Sequence, residues 1–151
     1  MKRRKLTARN ADINRLYEES VQCTEFEVSF INKLFKRYNK TKCKSLREDF
    51  CASALISSEW VRHNKDNIAI AVDLDRTMIK EAKNTALSRL SSEQQKRIKI
   101  CYGDSSKFNT DKVDCILATN FSYFVFKQRK KLIDYFKHAY KQLKNRGIFM
   151  L

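Results

Sequence analysis

The sequence predicts an α/β protein of three layers, with helices on both faces of a mainly parallel sheet. Three observations carry that prediction. From Lys42 onward, strand-like apolar runs alternate with amphipathic helical stretches, the pattern of βαβ units. The run Ile68-Ala69-Ile70-Ala71-Val72 is continuous rather than alternating, as a strand covered on both faces requires. Successive runs also end in acidic or amide residues, at Glu48, Asp73, Asp104 and Asn120. In an open parallel sheet the carboxyl ends of the strands border one crevice, so polar groups at those ends converge on whatever ligand sits there.

A chain of 151 residues fits one domain around one core. Residues 1–40 read as a helical lead-in and residues 41–151 as the sheet-bearing part of that domain. Within the lead-in, Ile13 to Val21 is a short helical piece. Thr24 to Tyr38 is a longer helix, with Phe26, Phe30, Ile31, Leu34, Phe35 and Tyr38 as one inward stripe and Thr24 with Glu27 as a capping box. The strands and helices then follow: Cys43 to Glu48, Ser53 to Arg62, Asn67 to Asp73, and a helix from Asp75 to Leu90. Asp75 caps that helix, and Met78, Ile79, Ala82, Ala86 and Leu90 form its buried side. Arg97 to Tyr102 alternates charge with apolar residues and reads as an edge strand. Val113 to Ala118 is the fourth strand. Lys127 to Asn145 is a long helix with Leu132, Phe136, Ala139, Tyr140 and Leu143 inward, and Gly147 is its stop before a fifth strand begins at Ile148. The expected sheet is thus truncated after the start of its fifth strand. Lys42 to Leu46 is more polar than a central parallel strand normally is, so periodicity alone does not place the first strand at the centre.

Only two glycines and no proline occur, against the roughly ten and seven that ordinary usage would give, so tight turns at positive φ are expected to be few. Thirty-two basic against seventeen acidic residues give a net charge of +15, spread along the chain with a denser cluster at Met1 to Arg9. A field of that size attracts nucleic acid or an anionic surface; solvated, lysine-rich helix faces give the same count, and most Lys and Arg fall on polar helix sides. The five cysteines, at 23, 43, 51, 101 and 115, form no Cys-x-x-Cys pair. That argues for reduced thiols in a reducing compartment, cytoplasmic or nuclear, and against a zinc ribbon; no metal site is expected. No apolar stretch follows the basic start, so neither a secretory signal nor a membrane span is expected.

The first strand-to-helix crossing, Leu46-Arg47-Glu48-Asp49-Phe50-Cys51-Ala52-Ser53-Ala54, lies where nucleotide cofactors bind, and Phe50, Ala52 and Ala54 occupy the usual glycine positions. Asp73 follows Ala54 at close to the spacing at which an acidic residue meets a ribose; capping the next helix is its other reading. Asp104 at the end of the third strand can accept from an exocyclic amine. Asn120, with Phe121, Tyr123, Phe124 and Phe126 nearby, offers an amide and rings at the mouth of the fourth, although singly those rings read as core.

These residues resemble class I S-adenosylmethionine-dependent methyltransferases, which are Rossmann-like. More narrowly, Leu46 to Cys51, Ala54-Leu55, Ser58 to Arg62 and Val72 to Asp75 look like a subgroup whose first motif reads LREDFCGT, followed by ALL, AEWVR and VDLD. The resemblance places the polar first strand at the centre of the sheet and implies S-adenosylmethionine as cofactor. It implies that Glu48 and the backbone from Phe50 through Ala52 to Ala54 hold the methionine part, Asp73 the ribose, and Leu74 lies along the adenine. Asp104 and Ser105 would reach the adenine amine. Asn120 to Tyr123 is similar to the subgroup's NFSY segment, making Asn120 and Tyr123 the acceptor-side candidates. Leu16-Tyr17 and Ser20-Val21-Gln22 resemble a lead-in helix that covers the cofactor. Ala52 departs from the subgroup's glycine, and the family continues past the strand in which this chain stops. The methyl acceptor is not legible. A basic nucleic-acid-binding module and a degenerate, non-catalytic methyltransferase-like protein are the alternatives.

Overall fold

The computed structural model describes residues 23–151 together with Thr7 and Leu16. The Met1 to Arg9 cluster and the Ile13 to Val21 piece, with the Leu16-Tyr17 and Ser20 to Gln22 segments, otherwise lie outside the described residues. In chain order the elements are α1 (Thr24–Asn39), β1 (Ser45–Asp49), α2 (Leu55–His63), β2 (Ile68–Asp73), α3 (Arg76–Glu81), α4 (Ser92–Gln95), β3 (Ile98–Tyr102), β4 (Val113–Leu117), α5 (Arg129–Gln142) and β5 (Leu143–Met150). The five strands form one parallel sheet in the order β3-β2-β1-β4-β5. Strand order reverses between β1 and β4, so the carboxyl ends of those two strands flank the switch point at which such sheets bind ligands. The alternating strand β3 stands at one edge, as its Lys99 and exposed Tyr102 require.

β1 is central although its sequence is polar, because every polar group on it has a partner. Asp114 accepts from the Lys44 and Ser45 amides at 3.0 and 2.8 Å and from Ser45 Oγ at 2.8 Å, and Lys144 Nζ closes on its other oxygen at 3.0 Å. Arg47 is fully buried. Its Nε pairs with Asp49 at 2.7 Å and its two terminal nitrogens donate to the carbonyls of Phe108 and Ser105 at 2.8 Å each. A buried charge is tolerated only with this degree of pairing. The strand begins at Ser45 rather than Cys43, so the lysines at 42 and 44 stay outside it and exposed.

Three helices differ from expectation. In α1, Cys23 rather than Thr24 is the N-cap, and no capping box forms. Only Val28, Ile31 and Phe35 of that helix are buried, while Phe26, Phe30 and Tyr38 are exposed and the first two stack at 6.0 Å. Asp75 does cap α3, accepting from the amides of Thr77 and Met78 at 2.7 and 3.2 Å. That helix loosens after Glu81 into a π-turn at Ala82–Ala86 and a 3-10 turn at Leu87–Arg89. There the Thr85 hydroxyl takes the Glu81 carbonyl at 2.6 Å and Ser88 takes that of Thr85 at 2.9 Å, local bonds that compete with the helical ladder. Of the expected inward residues, Ile79, Ala82, Ala86 and Leu90 are nonetheless buried and Met78 is half-buried.

In α5 the buried face is centred on Tyr135 and Ala139, with Leu132 and Phe136 half-buried and Tyr140 exposed. The inward stripe is rotated because Tyr135 can be buried completely: its hydroxyl donates to Asp49 at 2.9 Å. The helix stops at Gln142, and β5 pairs with β4 first through Leu143 and then, after an irregularity, through Ile148 to Met150. The left-handed residue of that excursion is Arg146 (φ 62), not Gly147. Arg146 donates to the Tyr38 carbonyl at 2.6 Å, which ties it to the end of α1. A Cβ at Gly147 would lie 3.0 Å from Leu143 Cδ2 and from the Lys144 carbonyl, so a side chain there would press on both.

Candidate functional site

The site is built first by the end of β1. Glu48 is buried, and its Oε2 accepts from the Ser57 amide at 2.8 Å and the Ser57 hydroxyl at 2.5 Å. Ser57 is the third residue of α2, whose N-cap, Ala54, has no side-chain oxygen to offer. The preceding strand therefore supplies the cap that Ala54 cannot. Burial pushes the Glu48 carboxyl up to about 7, against the Ser57 hydrogen bonds that lower it; the charges of Glu27 and Asp73 add to the rise. Glu27, on α1, has a buried Oε2 without a hydrogen-bond partner, and burial raises its carboxyl too.

Between Glu48 and α2 the chain turns through three left-handed residues, Phe50 (φ 56), Ala52 (φ 45) and Ala54 (φ 56). These are the positions at which the sequence lacks its glycines. Each Cβ there costs about 1–2 kcal/mol, and the turn is held in place from all sides. The Cys51 amide donates to the Val72 carbonyl at 3.1 Å, the Ala52 amide to Asp73 Oδ2 at 2.8 Å, and the Phe50 amide reaches Ser105 Oγ at 3.4 Å. The Phe50 ring meets Tyr135 and Phe126 edge-on at 5.6 and 6.0 Å.

Asp73, at the end of β2, takes Ala52 on one oxygen and the Asp75 amide on the other at 2.8 Å. Leu74 beside it is 61% exposed. At the end of β3, Gly103 donates to the Asp73 carbonyl at 2.9 Å, and a Cβ on it would meet the Phe108 ring at 2.3 Å. Ser105 is buried, whereas Asp104 turns back on its own loop and accepts from the Ser106 amide and hydroxyl at 2.9 and 2.7 Å. After β4, Asn120 (φ 57) and Phe121 (φ 56) are consecutive left-handed residues that lead into a 3-10 turn, Ser122–Val125. Asn120 and Tyr123 are half-buried there, with Tyr123 edge-on to Phe124 at 4.8 Å.

The structure thus joins Glu48, Phe50, Ala52, Asp73 and Ser105 through the turn after β1, and sets Asp104 after β3 and Asn120 after β4, two strands that β2 and β1 separate, at the same edge of the sheet. A hollow of about 380 Å³, lined by Asp104, Ser106, Lys107, Val125, Phe126, Lys131 and Asp134, opens beside them. A shallower one of about 430 Å³, lined by Arg76, Ile79, Lys80, Lys83, Asn84 and Tyr102, touches none of the four strand-end residues; chemistry rather than volume locates the site. His138 binds the Phe108 carbonyl at 2.9 Å and His63 is exposed. Ser57, Arg47, Asp49, Tyr135 and Glu27 were not legible as site components. Arg47 and Asp49 had one signal, their place in the LREDFCGT-like segment; Ser57 emerges only because the helix begins at Leu55 with Ala54 as its N-cap rather than at Ser53. Among the described residues no group of His, Cys, Asp and Glu could hold a metal, and no helix is long and apolar enough to cross a membrane. All five cysteines are free.

A family model described as a methyltransferase domain matches residues 49–151. Among solved structures, a sugar N-methyltransferase from Streptoalloteichus sp. ATCC 53650 is similar over 99% of this chain and 57% of its own, with TM-score 0.73 and 14% identity. An S-adenosylmethionine-dependent methyltransferase from Clostridium acetobutylicum ATCC 824 matches over 90% and 54%, with TM-score 0.74 and 22% identity. An amino pentose methyltransferase from Micromonospora echinaspora, solved with S-adenosylmethionine bound, matches over 95% and 55%, with TM-score 0.69 and 10% identity. The chain spans a little over half the length of these structures, and the likeness is one of fold. No curated protein matches it.

Proposed function

The chain belongs to the methyltransferase-domain family, and we propose that it binds S-adenosylmethionine across the carboxyl ends of β1 to β4, transfers the methyl group to an acceptor, and falls in the subgroup with the LREDFCGT-type first motif. The carrying observation is the turn from Phe50 to Ala54, which keeps a glycine-like backbone without glycine between a buried carboxylate and a strand-end carboxylate. Ala52, where the subgroup has glycine, holds the left-handed conformation that glycine would take.

The residues present fit the group. Both Ser57 donors fall on Glu48 Oε2, which leaves Oε1 for an ammonium of the methionine part. Asp73 accepts one N–H on each oxygen, and each oxygen has a second acceptor site for a ribose hydroxyl. Leu74 offers exposed apolar surface for the adenine face, with Asp104 and Ser105 as partners for its amine. The bound cofactor supplies a methyl group on a sulfonium, for which alignment of the acceptor is the main requirement. Asn120 and Tyr123 orient that acceptor. Residues 41–151 form the cofactor-binding part and residues 1–40 its lead-in. The five free thiols support a reducing compartment, cytoplasm or nucleus.

Isothermal titration of the whole chain with S-adenosylmethionine tests this reading. One site is expected, weakened about tenfold or more by Asp73→Ala, because hydrogen bonds to a charged group are lost. Absence of heat at millimolar cofactor rejects it.

A further inference from the structure

The segment that follows β4 is arranged against its own stability. Asn120 and Phe121 both sit at positive φ, and the strain delivers a phenylalanine ring to solvent, 70% exposed. Phe124, 58% exposed, stacks on it with centroids 5.5 Å apart and planes 19° from parallel, so the pair forms an exposed aromatic stack to which a further planar ring can add. Immediately after it come Lys127, Arg129, Lys130 and Lys131, all exposed. Three of these fill the first turn of α5, which holds no acidic residue and no side-chain cap, so the positive end of the helix dipole opposes them. A surface optimised only for folding would carry Asp or Glu there. Lys107 and Lys131 continue the positive charge into the hollow beside the strand ends, where Asp104 and Asp134 are the opposing carboxylates.

We propose that this surface binds single-stranded nucleic acid, with bases stacking on Phe121 and Phe124 and phosphates following Lys127 to Lys131. Stacking platforms flanked by cations are what an unpaired strand recognises, since every base has a π-face and every linkage a charge. A duplex hides its base faces, and an acidic peptide or an anionic membrane leaves the stacked rings without a planar partner. The platform adjoins Asn120 and Tyr123, so the strand would present a base to the methyl group; that consequence, unlike binding itself, rests on the methyltransferase reading.

The test is fluorescence anisotropy of the whole chain with labelled oligouridylate and oligodeoxythymidylate of about twelve nucleotides. Binding is expected at about 50 mM salt and is expected to fall steeply with added salt. Phe121→Ala is expected to weaken it about tenfold at fixed salt. The double change Lys130→Gln and Lys131→Gln is expected to lower the salt slope by about 1.4, or roughly 0.7 per phosphate contact. Circular dichroism establishes that each variant is folded, and Phe124→Ala replaces Phe121→Ala if the latter is not. Lack of binding at low salt overturns the proposal. So does equal affinity for duplex with no effect of either phenylalanine, or a preference for phosphatidylserine vesicles. Cofactor titration of the same preparation separates the two readings: strand binding without cofactor binding removes only the enzyme assignment, and the reverse removes only this surface.

Discussion

Two stretches of this molecule carry more than one left-handed residue, and they do so in opposite settings. The turn after β1 has Phe50, Ala52 and Ala54 at positive φ, yet it is enclosed: its amides meet Val72, Asp73 and Ser105, and its aromatic ring meets Tyr135 and Phe126. The turn after β4 has Asn120 and Phe121 at positive φ and is open, with its rings facing solvent. Strain in the first is held by partners on β2, on the loops that follow β3 and β4, and on α5. In the second, few such partners exist. A distorted backbone thus marks a pre-formed cradle where it is surrounded, and a surface awaiting its contact where it is not.

Removing the support under the first turn should break this contrast most strongly. Arg47→Ala leaves Asp49 buried without its cation, and a loss of about 3–5 kcal/mol is expected from denaturant unfolding. A loss below 1 kcal/mol would mean that the buried network does not hold the cradle.

Glu48 gives the next largest effect. Its folded carboxyl is raised from 4.5 to about 7, so the folded state holds the proton more tightly than the unfolded state. The associated stability is fully present below about pH 4.5 and is lost as pH rises through about 7, on the order of 3 kcal/mol across that window. Glu48→Gln, which keeps the acceptor for Ser57, should flatten that part of the profile. Identical profiles for the two proteins would contradict the burial argument. In the wild-type protein, binding of a cationic ligand beside Glu48 should release a proton near pH 7, measurable by titration in buffers of different ionisation heat.

The smallest effects compare the turns directly. Ala52→Gly relieves a left-handed Cβ and should stabilise by about 1 kcal/mol, the backbone strain less the added entropy of the unfolded chain. Phe121→Ala keeps the strain and removes an exposed ring, so its effect on thermal stability should stay within about 0.5 kcal/mol. A large loss on Phe121→Ala would show that the outer turn, too, is held by its neighbours.

The sheet was legible because Ala69 to Val72 and Cys115 to Leu117 largely carry their burial in residue type, although Ile68 at the start of β2 is exposed, and the edge position of β3 because Lys99 alternates with Ile98 and Ile100. The three glycine-like positions could be named from spacing alone. The interior polar network could not. Residue type does not show Arg47, Asp49 and Tyr135 to be buried; that follows only once the fold brings positions 47, 49, 105, 108 and 135 together. For the same reason Tyr140, at the right spacing for the inward stripe of α5, lies outside, while Tyr135, whose hydroxyl reaches Asp49, is buried beside the expected Ala139 and Leu143. The aromatic residues of α1 overstated its inward stripe, because periodicity cannot tell a buried ring from an exposed stacked pair such as Phe26 and Phe30.

Gly103 lies in a half-buried turn and touches no ligand residue except through its amide, yet its missing Cβ has a long reach. The Phe108 ring occupies the space that a methyl would need. The carbonyl of that same Phe108 receives both Arg47 and His138. A Gly103→Ala change would displace the ring, then the carbonyl, and then the guanidinium at the centre of the sheet. A substitution in a peripheral turn would thus do its damage as an unpaired cation in the interior.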